Sequence, residues 1–147
     1  MRQSAKMISA MIVAVVLPVL GACRSEPLDL SEDEAFVFLT QAATPLFVME
    51  ALFEGRVQVD ARGCIRLESV DDATVVWPAG FRLVRDGTHL EIRDANDRRV
   101  GRLGGRFRLG GGEVTELHDG LGLGASVRQL AANRCPGRFW IVGDVLS

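Results

Sequence analysis

The chain opens with a charged segment, passes into fourteen uncharged residues from Met7 to Leu20, and then changes hydrophobic period twice. Met1 to Lys6 carries Arg2 and Lys6 and no acid. The uncharged run is short of the roughly 20 apolar residues that a membrane span needs, and it matches the h-region of a signal peptide. Arg24 to Leu30, with Pro27, reads as a short polar tether. Ser31 and Glu34 then form a capping box, and Glu32, Asp33 and Glu34 put negative charge at the positive end of a helix dipole. Ala35, Phe36, Leu39, Ala42 and Ala43 recur at helical spacing. This pattern predicts a helix that stops or kinks at Thr44, before Pro45. Leu46 to Phe53 is apolar and reads equally as helix or strand. The expected helical segment is 31–53.

From Gly55 the period falls to two. Val57 and Val59 alternate with polar residues, Asp60-Ala61-Arg62-Gly63 reads as a hairpin turn, and Cys64, Ile65 and Leu67 resume beyond it. Val75-Val76-Trp77 ends at Pro78 and Gly80. Phe81 and Leu83, Leu90 and Ile92, Val100 to Leu103, and Phe107 and Leu109 mark further strands. Asp86-Gly87, Asn96-Asp97 and Gly104-Gly105 divide them, and Gly110-Gly111-Gly112 is expected to close the last of these strands. Arg138 to Val145 is nearly all apolar, which predicts a final strand buried on both faces. Glu113 to Arg134 has little strand pattern; Ser126 to Ala132 is its one candidate helix, and a loop of that length is often functional. Six or seven short strands at this turn spacing predict a mainly β fold after one short N-terminal helix. A small closed or partly closed barrel, OB-like in form, is favoured, with a sandwich as the alternative.

The early run ends in Leu20-Gly21-Ala22-Cys23, which resembles the lipobox of bacterial lipoproteins. The resemblance implies cleavage before Cys23 and acylation of its sulfur. Arg24 follows the cysteine where an aspartate would favour retention, so in a two-membrane cell the resemblance implies outer-membrane sorting. The organisation expected is a signal peptide at 1–22, a lipidated tether at 23–30, a helical segment at 31–53 and a β domain at 54–147. The location expected is the cell envelope, with the membrane held through the N-terminal lipid.

Of the 147 residues, 125 follow residue 22, enough for one domain. Removing Arg2 and Lys6 leaves 15 arginines, no lysine and 19 acids, a net charge of −4. That balance disfavours nucleic acid as a partner, because its binding is driven by phosphate neutralisation. Cys64 and Cys135 remain once Cys23 is assigned to lipid. In an exported chain such a pair reads as a disulfide, and closing a loop of about 70 residues stabilises the fold by roughly 4 kcal/mol on the chain-entropy argument.

Four features are candidate sites. Trp77-Pro78-x-Gly80 offers a flat ligand platform, although a tryptophan in such a strand more often fills a core. Arg82, Arg93, Arg106 and Arg108 are expected to share an outward face for an anionic glycan, a lipid headgroup or a partner's acids; the interleaved Asp86, Glu91, Asp94 and Asp97 make a mixed-charge face the plainer reading. His118 and Asp119 lie in the long loop with Ser126, but no G-x-S-x-G elbow is present, and a base directly beside its orienter is wrongly placed for a triad. Gly110-Gly111-Gly112 lacks the Lys-Ser/Thr and the helix that a phosphate loop needs, so a bulge or turn is the better account. With two histidines, no Cys-x-x-Cys and no tyrosine, neither a metal, a cofactor nor a tyrosine-rich sugar platform is expected.

Five pieces carry a second resemblance: Gly63-Cys64-Ile65-Arg66-Leu67, Val76-Trp77-Pro78-Ala79-Gly80, Val100-Gly101-Arg102-Leu103-Gly104, Leu109-Gly110-Gly111-Gly112, and Cys135-Pro136-Gly137-Arg138-Phe139-Trp140-Ile141-Val142-Gly143. In order and spacing, from about Leu52 to Val145, they resemble a family of small exported or lipid-anchored bacterial domains to which no activity is assigned. The resemblance implies a Cys64–Cys135 pair, since each cysteine sits in a matching piece; Phe139 and Ala79 stand where the family would have tyrosine and a second proline. The function expected is non-catalytic: an envelope lipoprotein binding a protein or another envelope component, with an anionic-polymer or oligosaccharide barrel as the alternative and a hydrolase a distant third. Cys23→Ala is expected to abolish acylation, leaving a soluble chain or an unprocessed precursor. A mature, lipidated Cys23→Ala product on fractionation and mass spectrometry would contradict the signal-peptide reading.

Overall fold

The structure, a computed structural model, describes residues 36–43, 49–68 and 72–146. The expected signal peptide and tether, Cys23 and the expected capping box at Ser31 lie outside the described residues. In chain order the elements are β1 (Leu39–Thr40), β2 (Ala51–Val59), β3 (Ile65–Leu67), β4 (Thr74–Trp77), β5 (Arg82–Asp86), β6 (His89–Arg93), β7 (Arg99–Arg102), β8 (Arg106–Val114), α1 (Ala125–Arg134) and β9 (Phe139–Leu146).

Five of the strands close into a barrel in the order β2–β3–β4–β9–β8 and back to β2. All neighbours run antiparallel except β4 and β9, which meet in parallel with Thr74 opposite Phe139 and Val76 opposite Ile141. Numbered along the chain, the ring reads first, second, third, fifth, fourth, the connectivity of an OB-like barrel. β2 spans nine residues and pairs with β3 at one end and β8 along the other, so it serves both halves of the ring. The connection from β4 to β8 carries a separate three-stranded sheet, β5–β6–β7, and the connection from β8 to β9 carries α1.

Alternation sorts the core into two clusters. Val57, Ile65, Leu67, Val75, Trp77, Phe107, Leu109, Trp140 and Val142 fill the barrel, with Ile92 reaching in from the outer sheet. Val37, Leu39, Val76, Phe139 and Ile141 point to the opposite side and pack with Leu121, Leu123 and Ala131 around the two cysteines. β4 is therefore buried at every position, and β9 from Phe139 to Val142. Each such aliphatic or aromatic side chain contributes roughly 1.5–3 kcal/mol when fully buried. Cys64 and Cys135 form a disulfide with a Cα–Cα separation of 5.8 Å.

Two local expectations are corrected. Residues 36–43 contain no helix: Val37 bridges Cys64, and Leu39–Thr40 pair in parallel with Val76 and Trp77. At the other end of the expected helical segment, residues 51–53 already belong to β2. The burial of Val37, Leu39 and Gln41 against the half-buried Phe36, Phe38 and Thr40 is a period of two, which the sheet edge on β4 rewards more than a helix would. Gln41 is buried there with its side-chain amide donating to the Val142 carbonyl at 2.8 Å. The α-helix lies instead at Ala125–Arg134, where one had been expected over Ser126 to Ala132.

The glycine run does not close β8; the strand continues through it to Val114, with a bulge between Gly110 and Gly111. Gly111 has φ +155°, and a Cβ there would lie 2.0 Å from the Ile141 carbonyl oxygen. Gly111→Ala is expected to cost about 3 kcal/mol through backbone strain and overpacking. Urea denaturation is the readout, and an unchanged midpoint would show that the β8–β9 seam does not require glycine.

Candidate functional site

The three-stranded sheet places one face on the barrel and turns the other to solvent. Leu83, Leu90 and Ile92 share the inner face. The register sets Arg82 opposite Arg93, Val84 opposite Glu91 and Glu91 opposite Arg102 on the outer one. Short turns hold this register: Gly87 has φ +58° between β5 and β6, and Asp97 takes the left-handed conformation between β6 and β7. Asp94 caps the second turn, its Oδ1 accepting the Asn96 and Arg98 backbone N–H groups at 2.8 and 2.9 Å.

At the centre of the outer face is Glu91, 2% exposed. Its Oε1 accepts from Arg102 Nε at 3.0 Å and Arg99 Nη1 at 3.4 Å, and its Oε2 accepts from Arg93 Nη2 at 3.4 Å. Asp97 Oδ1 takes Arg93 Nη1 at 3.1 Å and also pairs with Arg82. Burial works against ionising Glu91, but the hydrogen bonds and charges of Arg102 and Arg99 outweigh it and hold the carboxyl below its ordinary value. Asp97 is lowered by the Arg93 hydrogen bond and the nearby Arg82 charge, and Arg93 is raised chiefly by its bond to Asp97. Glu91 is the acceptor underneath, while Asp97, 55% exposed, stands at the surface beside Arg82 and Arg93; the side chains of Arg82, Arg99 and Arg102 remain 51, 58 and 46% exposed. Four guanidiniums over Glu91 and Asp97 give a local excess of two positive charges. Planar guanidiniums fixed from below present the donor geometry that carboxylate and phosphate groups take.

Of the four arginines expected on one face, the structure brings two together. Arg82 and Arg93 come together, joined by Arg99 and Arg102, whose part was not foreseen. Arg106 and Arg108 lie on β8 in the barrel sheet, away from β5–β7, with Arg106 opposite Arg56 and Arg108 Nε on Glu54 at 2.7 Å. Trp77 is not a surface platform: it is fully buried, stacked on Phe38 and Phe81 with ring centroids 6.0 and 6.2 Å away and edge-on to Phe107 at 5.9 Å. His118 and Asp119 are exposed at the start of a 3-10 turn, where Asp119 pairs with Arg128. Among the described residues there is no group of three or more His, Cys, Asp or Glu side chains placed to hold a metal ion.

A concavity of about 370 Å³ lies between the long loop and α1, with Leu117, Ala132, Pro136 and Phe139 among its walls. No family model matches the chain, and no curated protein or solved structure matches it either.

Glu91 has a depressed pKa, so its contribution to stability is fully present above the unfolded value near 4.5 and is lost as pH falls through the lower folded value. Glu91→Gln is expected to lower the melting temperature at pH 7 and to flatten the loss of stability below pH 4.5. Asp60, Asp94 and Asp97 are also depressed and titrate in both proteins, so the difference between the two curves isolates Glu91. Parallel pH profiles would rule out a native-state role for its ionisation.

Proposed function

We propose that this protein is a lipid-anchored lipoprotein of the cell envelope that performs no catalysis and binds an anionic envelope component through the outer face of β5–β7. The observation that carries the reading is the arginine array itself: Arg82, Arg93, Arg99 and Arg102 ordered over Glu91 and Asp97, with local charge opposite in sign to that of the chain. The signal-peptide pattern and Cys23 supply the anchor, and the tether keeps the domain close to the membrane. The absence of a convergent base, nucleophile and orienter in the sequence is consistent with a binding role. Within the envelope, the acceptors that match are phosphate and carboxylate groups of glycans or lipopolysaccharide.

A protein partner seated in the cleft between the loop and α1 is the second reading, favoured by the apolar walls of that cleft. The two separate cleanly. Arg82→Gln with Arg99→Gln alters exposed side chains and leaves Glu91 its bonds to Arg93 and Arg102. Retention of the full lipoprotein on isolated cell-wall and lipopolysaccharide fractions is expected to fall at least about tenfold in this variant. Retention of the unaltered protein should also weaken as ionic strength rises from about 0.01 M to about 0.15 M. Unchanged retention together with a single crosslinked protein at residues 115–139 would replace the first reading with the second.

A further inference from the structure

β9 outlasts the strand beside it. β4 pairs with Phe139, Trp140 and Ile141, and then Pro78, which has no N–H to give to a ladder, ends the strand. Gly80, at φ +79°, turns the chain away into β5. β9 continues to Leu146 with β8 along one side, while its other side has no strand partner beyond Ile141 among the described residues. One position of this edge is covered by a side chain: the Gln41 amide donates to the Val142 carbonyl at 2.8 Å, in the place of a bond from a neighbouring strand. Residues 143–146 follow it without such a cover. Backbone groups of a strand alternate between its two sides, so β8 satisfies only part of theirs.

A second open edge faces the same space. Among the described residues β7 pairs with β6 alone. Arg99 and Val100 of β7 and Gly143, Asp144 and Val145 of β9 line one groove of about 550 Å³, within the range of binding clefts. Its apolar part is Phe81, Val100 and Val145, each half-buried and packed against the barrel core. Two unpaired strand edges around an apolar strip are a template for a further extended chain. The charge of the groove states what that chain should carry. Arg98 and Arg99 are already matched with Asp94 and Glu91. Asp144 is exposed and has no ion pair or hydrogen bond among the described residues. Alternation turns Asp144 outward where Val145 turns to the core, so the unmatched charge is negative and lies on the solvent side of the edge.

We propose that this groove takes an extended segment of another protein as an added strand on residues 143–146 of β9. Alternate apolar side chains of that segment turn to Phe81, Val100 and Val145, and a basic side chain between them meets Asp144. Main-chain pairing supplies the affinity and the alternation supplies the preference. The segment differs in chemistry from an anion on the outer face of β5–β7 and in place from a partner in the cleft beside α1, and the lipid anchor is not needed for it.

The test mixes the full chain with a capped peptide, Thr-Val-Arg-Val-Thr, at up to about 1 mM, the weak end of specific binding. Amide hydrogen exchange is read by mass spectrometry. The expected result is slowed exchange at 143–146 and none at α1. A peptide with glutamate in place of arginine should need at least about threefold more for the same protection, the scale of one surface ion pair. Asp144→Lys, a change at an exposed position, should reverse that preference and leave the melting temperature unaltered. A backbone N-methylated arginine peptide keeps the side chains but cannot donate to the edge, and should give no protection. Unchanged exchange at 143–146 with the arginine peptide, or equal protection by its N-methylated form, overturns the proposal. Protection of 143–146 in the free chain overturns it as well: a dimer mass then assigns the edge to a second copy, and a monomer mass to residues of the same chain.

Discussion

β4 and β9 lie side by side in parallel, and every residue of β4 and the first four of β9 are buried on both sides of the sheet. Inward, Val75, Trp77, Trp140 and Val142 complete the barrel core; outward, Val76, Phe139 and Ile141 hold the cluster that contains α1, the disulfide and β1. Removing this seam would open the ring at two unpaired edges and expose both cores together. A parallel pair joins strands distant in sequence, and such pairings are slow to form because loop closure precedes any reward from contacts. The Cys64–Cys135 bridge lies beside the seam. Cys64 adjoins β3, and Cys135 stands four residues before β9, so the covalent link brings the start of β9 close to β4. The same link also serves α1. Only Ala131 of its ten residues is fully buried, and a helix of that length is marginal without tertiary support.

With the ring closed by main-chain pairing, the chemistry is displaced onto what the ring carries. The inner face of β5–β7 contributes Ile92, Leu83 and Val100 to the barrel core, and Gly101 lets the Phe107 ring approach where a Cβ would lie 2.4 Å from it. This close contact fixes the insert as a rigid shelf. Its outer face can then hold four arginines over Glu91 at the cost of desolvating one carboxylate, a cost offset by three guanidinium partners. Leaving any of those donors without its acceptor would be more expensive than the pair itself is favourable. The cluster is consequently a unit, held by its own hydrogen bonds.

The strands were legible because one face of each meets a core and the other meets water, so alternation survives in the sequence. Double-sided burial of β9 was legible for the opposite reason, an uninterrupted apolar run. At the described residues 36–43 and 49–53 the expected helix is replaced by extended chain, because Phe36 to Gln41 carries a period of two whose reward is a sheet edge contributed by residues 76–77, and residues 51–53 pair in β2. The β-branched and aromatic content of Phe36-Val37-Phe38-Leu39-Thr40 was the available signal for strand. The arginine face was half legible for a similar reason. Arg82 and Arg93 belong to one hairpin, so local pattern pairs them, but Arg106 and Arg108 join the barrel sheet instead, and only strand order reveals that. Nor does alternation disclose that Glu91 is buried: it occupies an outward position and is covered by side chains from β7.

Electrostatics then decides which surface an approaching anion meets. The chain carries a formal net charge of −2, which at long range would repel it. At physiological ionic strength the Debye length is about 8 Å, so charges elsewhere on the domain are screened before contact, and the local excess of Arg82, Arg93, Arg99 and Arg102 over Glu91 and Asp97 dominates the last approach. Three other surface arginines are each matched with one acid, Arg108 with Glu54, Arg56 with Glu68 and Arg138 with Glu113. A chain whose total charge is negative thus offers an anion one shelf where the balance is reversed.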